Sequence, residues 1–424
     1  MIKFILKGIL RDRHRSLFPV LTVTLGVMLT VLAYCWITGV LGDMVDYNAR
    51  FLTGHVKVTS RAFAENIDQV PNDLALLGVD SLIQNLRTDY PDITWVKRIR
   101  FGGLLDVPDE NGETRAQGPA IGFALDLLSG DKSEIKRFNI KKALIKGHLP
   151  EAKREILISD EFADKLDVGP GDKITLISST MYGEMTLQNF IISGTVHFGM
   201  KILDRGAMIA DIGDIETVLD MEDACGEILG FFKSGMYDDV RAEKLAHDFN
   251  EKYSKTDDEF SPVMLTLADQ NDMASMLMFM KNIIGIISSV FILAMSIVLW
   301  NAGLLGGLRR FGEIGIRLAI GEHKGHVYRS MIAESVLIGI FGSVLGTAVG
   351  LGFAWLLQTY GIDVGEMMKN TTMMMPTVYR AHITSTAYYI GFIPGILSTV
   401  LGTSLSGIGI YKRKTAQLFK ELEV

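Results

Sequence analysis

The chain has 424 residues, 48% of them hydrophobic, two cysteines and a formal net charge of −7. The acidic balance and the lack of a basic face argue against nucleic-acid binding. Cys35 falls in an apolar run and Cys225 stands alone outside one, so the water-facing part cannot form an internal disulfide.

Residues 1–16 place Ile2, Ile5, Leu6, Ile9 and Leu10 on one helical face and Lys3, Lys7 and Arg11 on the other. A short helix lying in the membrane interface and a plain charged flank both fit this pattern. Residues 17–41 are apolar and exceed the roughly 20 helical residues that a crossing needs. Backbone groups in lipid must bond within their own segment, so this run is expected to be a helix. It is longer than a secretory signal core, and no A-x-A site follows. Leu32-Ala33-Tyr34-Cys35 faintly resembles a lipoprotein processing site, but Tyr34 is too bulky there. A retained anchor is therefore expected.

Residues 42–275 mix strand and helix signals. His55–Thr59, Glu155–Ile158, Lys173–Ile177, Phe190–Val196 and Ala207–Ala210 read as strands. Ser81–Thr88, Asp160–Leu166, Asp211–Leu219 and Asp238–Tyr253 read as helices. Trp95–Val107 reads as strand-like runs broken at Gly102-Gly103, followed by a turn at Asp109–Gly112. The expectation is an α+β domain of one or two lobes.

Residues 276–305, 331–358 and 384–411 are three more apolar spans. They are joined by a loop at 306–330 and a loop at 359–383, with a tail at 412–424. Basic clusters lie before the first span, in the 306–330 loop and after the fourth span. All three lie on one side of a four-span layout, and basic residues are retained in the cytoplasm. Both termini and the 306–330 loop are thus expected to be cytoplasmic, and residues 42–275 outside. The fold class expected is a membrane α-helical protein with four transmembrane helices and a large α+β extracytoplasmic domain inserted between helices 1 and 2.

The chain lacks a G-x-x-x-x-G-K-[ST] loop, H-E-x-x-H, G-x-S-x-G and paired C-x-x-C motifs. His323 and His326 are too few to hold a metal and read as exposed loop residues. No catalytic residue, metal ligand or cofactor-binding residue is assigned. Met367, Met368, Met373, Met374 and Met375 crowd the 359–383 loop. They read as adaptable apolar filling, with Cu(I) binding as the alternative. Gly342, Gly346 and Gly350 recur every fourth residue on the third span, and Gly402 lies between Ser398 and Ser406 on the fourth. Small residues let helices approach closely in lipid, within one chain or between subunits. Glu334 is a carboxylate just inside the third span. It either has a functional role or pairs with Arg329 or Arg310 at the interface.

The sharpest pattern lies between the second and third spans. Phe311, Ile314 and Leu318 share a helical face, Glu313 and Arg317 are spaced i,i+4, and Gly321 can end the helix. Such a helix either docks into a groove on a partner or is an ordinary basic connector. The run Arg310-Phe311-Gly312-Glu313-Ile314-Gly315-Ile316-Arg317-Leu318-Ala319-Ile320-Gly321, with Glu334 soon after, resembles the signature of FtsX-like ABC permeases. Thr53-Gly54-His55-Val56, Lys146-Gly147-His148 and Arg154–Leu176 resemble stretches of that family's exterior domain in the same order. His148 stands where the family has Arg, and the family's C-terminal ending is reduced to Leu418–Leu422.

The resemblance implies a permease subunit that binds a separate ABC ATPase dimer, which carries ATP and Mg. Arg310, Phe311, Glu313, Ile314, Gly315, Arg317 and Gly321 would form the coupling helix. The same resemblance implies a second permease subunit, identical or homologous, in a bacterial inner membrane. Three activities belong to the family's branches: extraction of lipoproteins towards a periplasmic acceptor, efflux through an outer duct, and signalling to a periplasmic enzyme. The full-length exterior domain favours lipoprotein release, with membrane lipids and a lipoprotein as the molecules handled.

Overall fold

The computed structural model describes residues 13–254, 258–270, 272–308, 311–364, 374 and 378–412. It divides into two units, one of residues 1–41, 279–362 and 379–424, the other of residues 42–278 and 363–378. The expected interfacial helix at 1–16 and the tail at 412–424 fall largely outside the described residues, as do all the methionines of the 359–383 loop except Met374.

Four helical stretches among the described residues are long and apolar enough to cross a membrane. The first helix is Arg13–Asn48, longer than the expected 17–41, and it passes into a π turn at Ala49–Thr53. The second is Met273–Leu308 rather than 276–305, and the third is Lys324–Tyr360 rather than 331–358. Polar ends continue the first and third helices beyond their apolar runs, and Met273–Ser275 and Gly306–Leu308 extend the second.

The fourth stretch departs from a regular helix over 384–411. It has a 3-10 turn at Ser385–Tyr388, a π turn at Ile393–Ser398 and an α-helix only from Thr399 to Lys412. Pro394 has no N–H to give the helical ladder. Gly391 and Gly395 lie hard against Val27 of the first helix, with 2.5 and 2.8 Å left for a Cβ.

Within this unit the small residues carry the packing. A Cβ on Gly342 would stand 2.6 Å from Val23, one on Gly346 2.6 Å from the Thr24 carbonyl oxygen, and one on Gly350 3.1 Å from the Met28 carbonyl oxygen. Three successive turns of the third helix thus lie on three turns of the first, with backbone nearly touching backbone. Gly402 does the same against Trp300 of the second helix, at 2.4 Å from its carbonyl oxygen. These four glycines make close contacts within the chain.

The domain of residues 42–278, called the outer domain after its expected placement, is built on a ten-stranded sheet. Its strands are β1 (Val56–Ser60), β3 (Ile93–Pro108), β4 (Thr114–Leu125), β5 (Leu144–Gly147), β6 (Glu155–Ser159), β7 (Lys173–Ser179), β8 (Met185–Val196), β9 (Ala207–Asp211), β11 (Glu227–Phe232) and β12 (Pro262–Thr266), while β2 (Leu76–Leu77) and β10 (Ala224–Cys225) pair separately. The order is β12-β1-β11-β3-β4-β9-β6-β8-β5, with β7 bridging β3 and β8. The long strand β3 joins two lobes. Its first half pairs with β11, and its second half with β4 and β7. Gly102-Gly103 does not break this strand. A Cβ on Gly103 would stand 2.7 Å from Leu176, so the glycine admits β7 at close range.

The sheet is covered on both faces. In β6, Ile156 and Ile158 enter one core with Trp95, Phe162 and Phe190, whereas Leu157 enters the other with Phe123, Phe138 and Phe198. Burial on both sides is why Glu155–Ser159 reads as a continuous apolar run and not as an alternation. Both cysteines are free and buried.

Candidate functional site

The loop between the second and third helices holds the helix Phe311–Ala319. It ends in a Schellman turn. Gly321 N–H donates to the Leu318 carbonyl at 3.2 Å, and Glu322 N–H to the Arg317 carbonyl at 3.1 Å. Gly321 has φ +99°, a left-handed conformation that glycine adopts without a steric cost. The turn brings Arg317 and Glu322 together, and Arg317 Nε and Nη2 both donate to the Glu322 carboxylate at 2.6 Å. Glu313, the i,i+4 partner expected from sequence, also acts on Arg317 through its charge. Hydrogen bonding to Glu322 pushes the Arg317 guanidinium up, and the same contact holds the Glu322 carboxyl down. His326 Nε2 lies 3.6 Å from Glu322, so this histidine belongs to the same charged turn.

The apolar residues of this helix divide between two directions. Ile314 is 2% exposed and packs with Val327 and Met331 of the third helix, with Leu318 against them. Ile314 and Leu318 of the shared helical face thus brace the helix on its own span. Gly315 is buried beside Ile314. Facing out are Glu313, Ile316 at 55% exposure and Ile320 at 80%, the last the most exposed large apolar side chain described. Arg310 and the side chain of Phe311 lie outside the described residues. Glu334 is half-buried inside the third helix, and its charge acts on Arg317, a partner the sequence did not suggest.

A second constellation, not anticipated from the sequence, lies within the outer domain. The Lys57 ammonium and the Arg100 guanidinium meet the Glu227 carboxylate, Lys57 Nζ at 2.5 Å and Arg100 Nη2 at 2.7 Å. Burial alone would push the Glu227 carboxyl up, but Lys57 and Arg100 beside it hold it at about 2. Arg98 Nε donates to Glu134 at 2.6 Å, and Arg98 Nη1 donates to the carbonyls of Arg50 at 2.6 Å and Phe51 at 3.2 Å. Those carbonyls belong to the π turn that ends the first helix, where backbone acceptors lack helical donors. Asp46 adds pairs to Arg50 and, at 2.9 Å, to His55. Gln270 Nε2 donates to the Thr53 carbonyl at 3.3 Å.

The sequence did hold a signal for this network. Lys57, Arg98 and Arg100 interrupt β-branched strand runs, and Glu227 opens the run Glu227–Phe232. Charges of opposite sign at interior strand positions require one another.

Residues 285–415 match the family model described as FtsX-like permease C-terminal. The chain is 25% identical over 258 residues to the lipoprotein-releasing system transmembrane protein LolC of Xylella fastidiosa (strain Temecula1), covering 60% of each chain. It is 28% identical over 115 residues to the macrolide export ATP-binding/permease protein MacB of Wolinella succinogenes, covering 27% of this chain and 16% of that one. The crystal structure of the periplasmic region of MacB from Actinobacillus actinomycetemcomitans aligns with a TM-score of 0.35 at 10% identity, over 55% of this chain and 95% of that one.

Proposed function

With an FtsX-like permease domain over residues 285–415, this chain is, we propose, a permease subunit that transmits force from a separate ABC ATPase dimer to the outer domain. The ATPase carries ATP and Mg. A second permease, identical or homologous, completes the transporter. The cargo is a lipoprotein or similar amphiphile, drawn from the outer leaflet of an inner membrane and passed to a periplasmic acceptor. Both termini and the 306–330 loop face the cytoplasm, and the domain after the first helix faces the periplasm.

The observation that carries this reading is the division of the loop helix. Ile314 and Leu318 fix it to the third helix, while Glu313, Ile316 and Ile320 face outward, and a turn locked by Arg317 and Glu322 ends the helix. A helix braced on one side and apolar on the other can take a push from a partner groove and pass it on. The third helix meets the first through Gly342, Gly346 and Gly350. The first helix in turn ends in a turn whose carbonyls are held by Arg98. Movement at the loop is thereby delivered to packed backbone, with few flexible side chains to absorb it.

The test is Ile316→Asp with Ile320→Asp in the assembled transporter. Cargo release per ATP hydrolysed should fall about tenfold or more, as for loss of a buried interface anchor. Unchanged coupling in a correctly folded double variant counts against the docking role. Depleting the protein should retain lipoproteins in the inner membrane. Normal lipoprotein sorting would instead favour efflux, the reading supported by the shorter MacB-like stretches.

A further inference from the structure

Two carboxylates of the outer domain converge on a single imidazole nitrogen. His197 Nδ1 lies 2.9 Å from Asp160 Oδ1 and 3.7 Å from Asp204 Oδ1. One donor atom from each of the three residues lies within 4.8 Å of the others. Each residue is set by a different element. Asp160 opens the helix Asp160–Leu166, His197 follows β8 directly, and Asp204 ends the short helix Lys201–Asp204. Asp204 is 3% exposed, and the backbone N–H groups of Phe198 and Gly199 donate to its Oδ1 at 2.7 and 3.3 Å. Ser159 Oγ donates to the Asp204 carbonyl and fixes the same corner.

Hydrogen bonding accounts for only part of this arrangement. The proton on Nδ1 satisfies Asp160, the nearer carboxylate. Asp204, whose Oδ1 is already held by two backbone N–H groups, faces the same nitrogen beyond hydrogen-bond distance. Close by, the Tyr47 hydroxyl is buried, has no hydrogen-bond partner among the described residues, and lies within electrostatic reach of Asp204. One imidazole nitrogen and two carboxylates held by separate elements are a ligand set for a borderline divalent cation. Zinc takes such donors at about 2.0–2.2 Å, and sites with three protein ligands leave one position open.

We propose that Asp160, His197 and Asp204 bind one divalent transition-metal ion, Zn²⁺ by preference, with one coordination position free. The chain gives no motif for it, since Asp160 and His197 are 37 residues apart and meet only through the parallel pairing of β6 with β8. Its position also gives it a consequence. The His197 carbonyl accepts the Met374 N–H at 3.1 Å. An ion held by the His197 ring therefore stiffens the strand end that receives Met374.

The experiment uses the full chain, purified through chelator and titrated with ZnCl₂ by calorimetry, with bound metal counted after desalting. One zinc per chain and a raised melting temperature are expected. Asp160→Asn and His197→Gln should each weaken binding by about tenfold or more, in chains whose circular dichroism matches wild type. Asp204→Asn is read only beside that folding control, because its carboxylate supports the backbone. A His323→Ala, His326→Ala background should bind as wild type. A wild-type chain that takes up no zinc overturns the proposal, and so does affinity that survives Asp160→Asn and His197→Gln.

Discussion

The outer domain and the apolar helices bury different kinds of polar group, although unpartnered buried atoms occur in both. In the outer domain Lys57, Arg98, Glu134 and Glu227 are at most 1% exposed, and each is matched by charge. In the helical unit the buried polar groups are hydroxyls, and those of Ser343 and Thr347 have no hydrogen-bond partner among the described residues. The contrast follows from the solvent that each unit leaves on folding. A charge taken from water must be compensated in full. Helices already in lipid gain little from hiding apolar surface, so they associate through close backbone approach, and a stray hydroxyl costs little.

The hardest test of this contrast removes one charge. Glu227→Gln leaves Lys57 and Arg100 buried without their carboxylate, and the outer domain should lose about 3–5 kcal/mol. Fluorescence of Trp95, the tryptophan of that domain, would report the shift in urea midpoint; a loss below about 1 kcal/mol would mean the network is dispensable. The same group sets an acid limit. Its folded value of about 2 lies below its ordinary 4.5. The stability it supplies is therefore complete above pH ~4.5 and lost as pH falls towards ~2. Wild type should show that acid slope and Glu227→Gln should lack it.

A smaller effect is expected from crowding the helices. Gly346→Val puts methyl groups where the Thr24 carbonyl oxygen already stands 2.6 Å from a Cβ. It should cost about 1–3 kcal/mol, measured by thermal aggregation in detergent. A neutral result would show that the two helices separate easily. Smallest of all should be Ser343→Ala, which deletes an unpartnered buried hydroxyl. It should change stability by less than about 1 kcal/mol in either direction. A large loss there would erase the distinction between the two units.

The layout of spans and domain was legible because long apolar runs and short strand runs follow from local pattern alone. Helix ends and the broken fourth span were not. Hydropathy cannot see the polar turns that extend a helix, nor the jamming of Gly391 and Gly395 against Val27. The loop helix was found from its spacing, but spacing cannot say which apolar face turns inward. Ile314 and Leu318 match the period and turn inward onto the third helix, whereas Ile316 and Ile320 are the exposed apolar residues. The buried charges and the Asp160–His197–Asp204 cluster depend on strand pairing between distant segments. No local motif carries that information.

Cys35 and Cys225 are both free and fully buried. Burial also pushes the Cys225 thiol up, away from the reactive thiolate. The native chain is therefore close to silent towards maleimides and methanethiosulfonates. A spin label or fluorophore attached through Ile316→Cys or Ile320→Cys would report from that position alone. Motion of the loop can thus be followed by spectroscopy without first stripping the protein of its own sulfur.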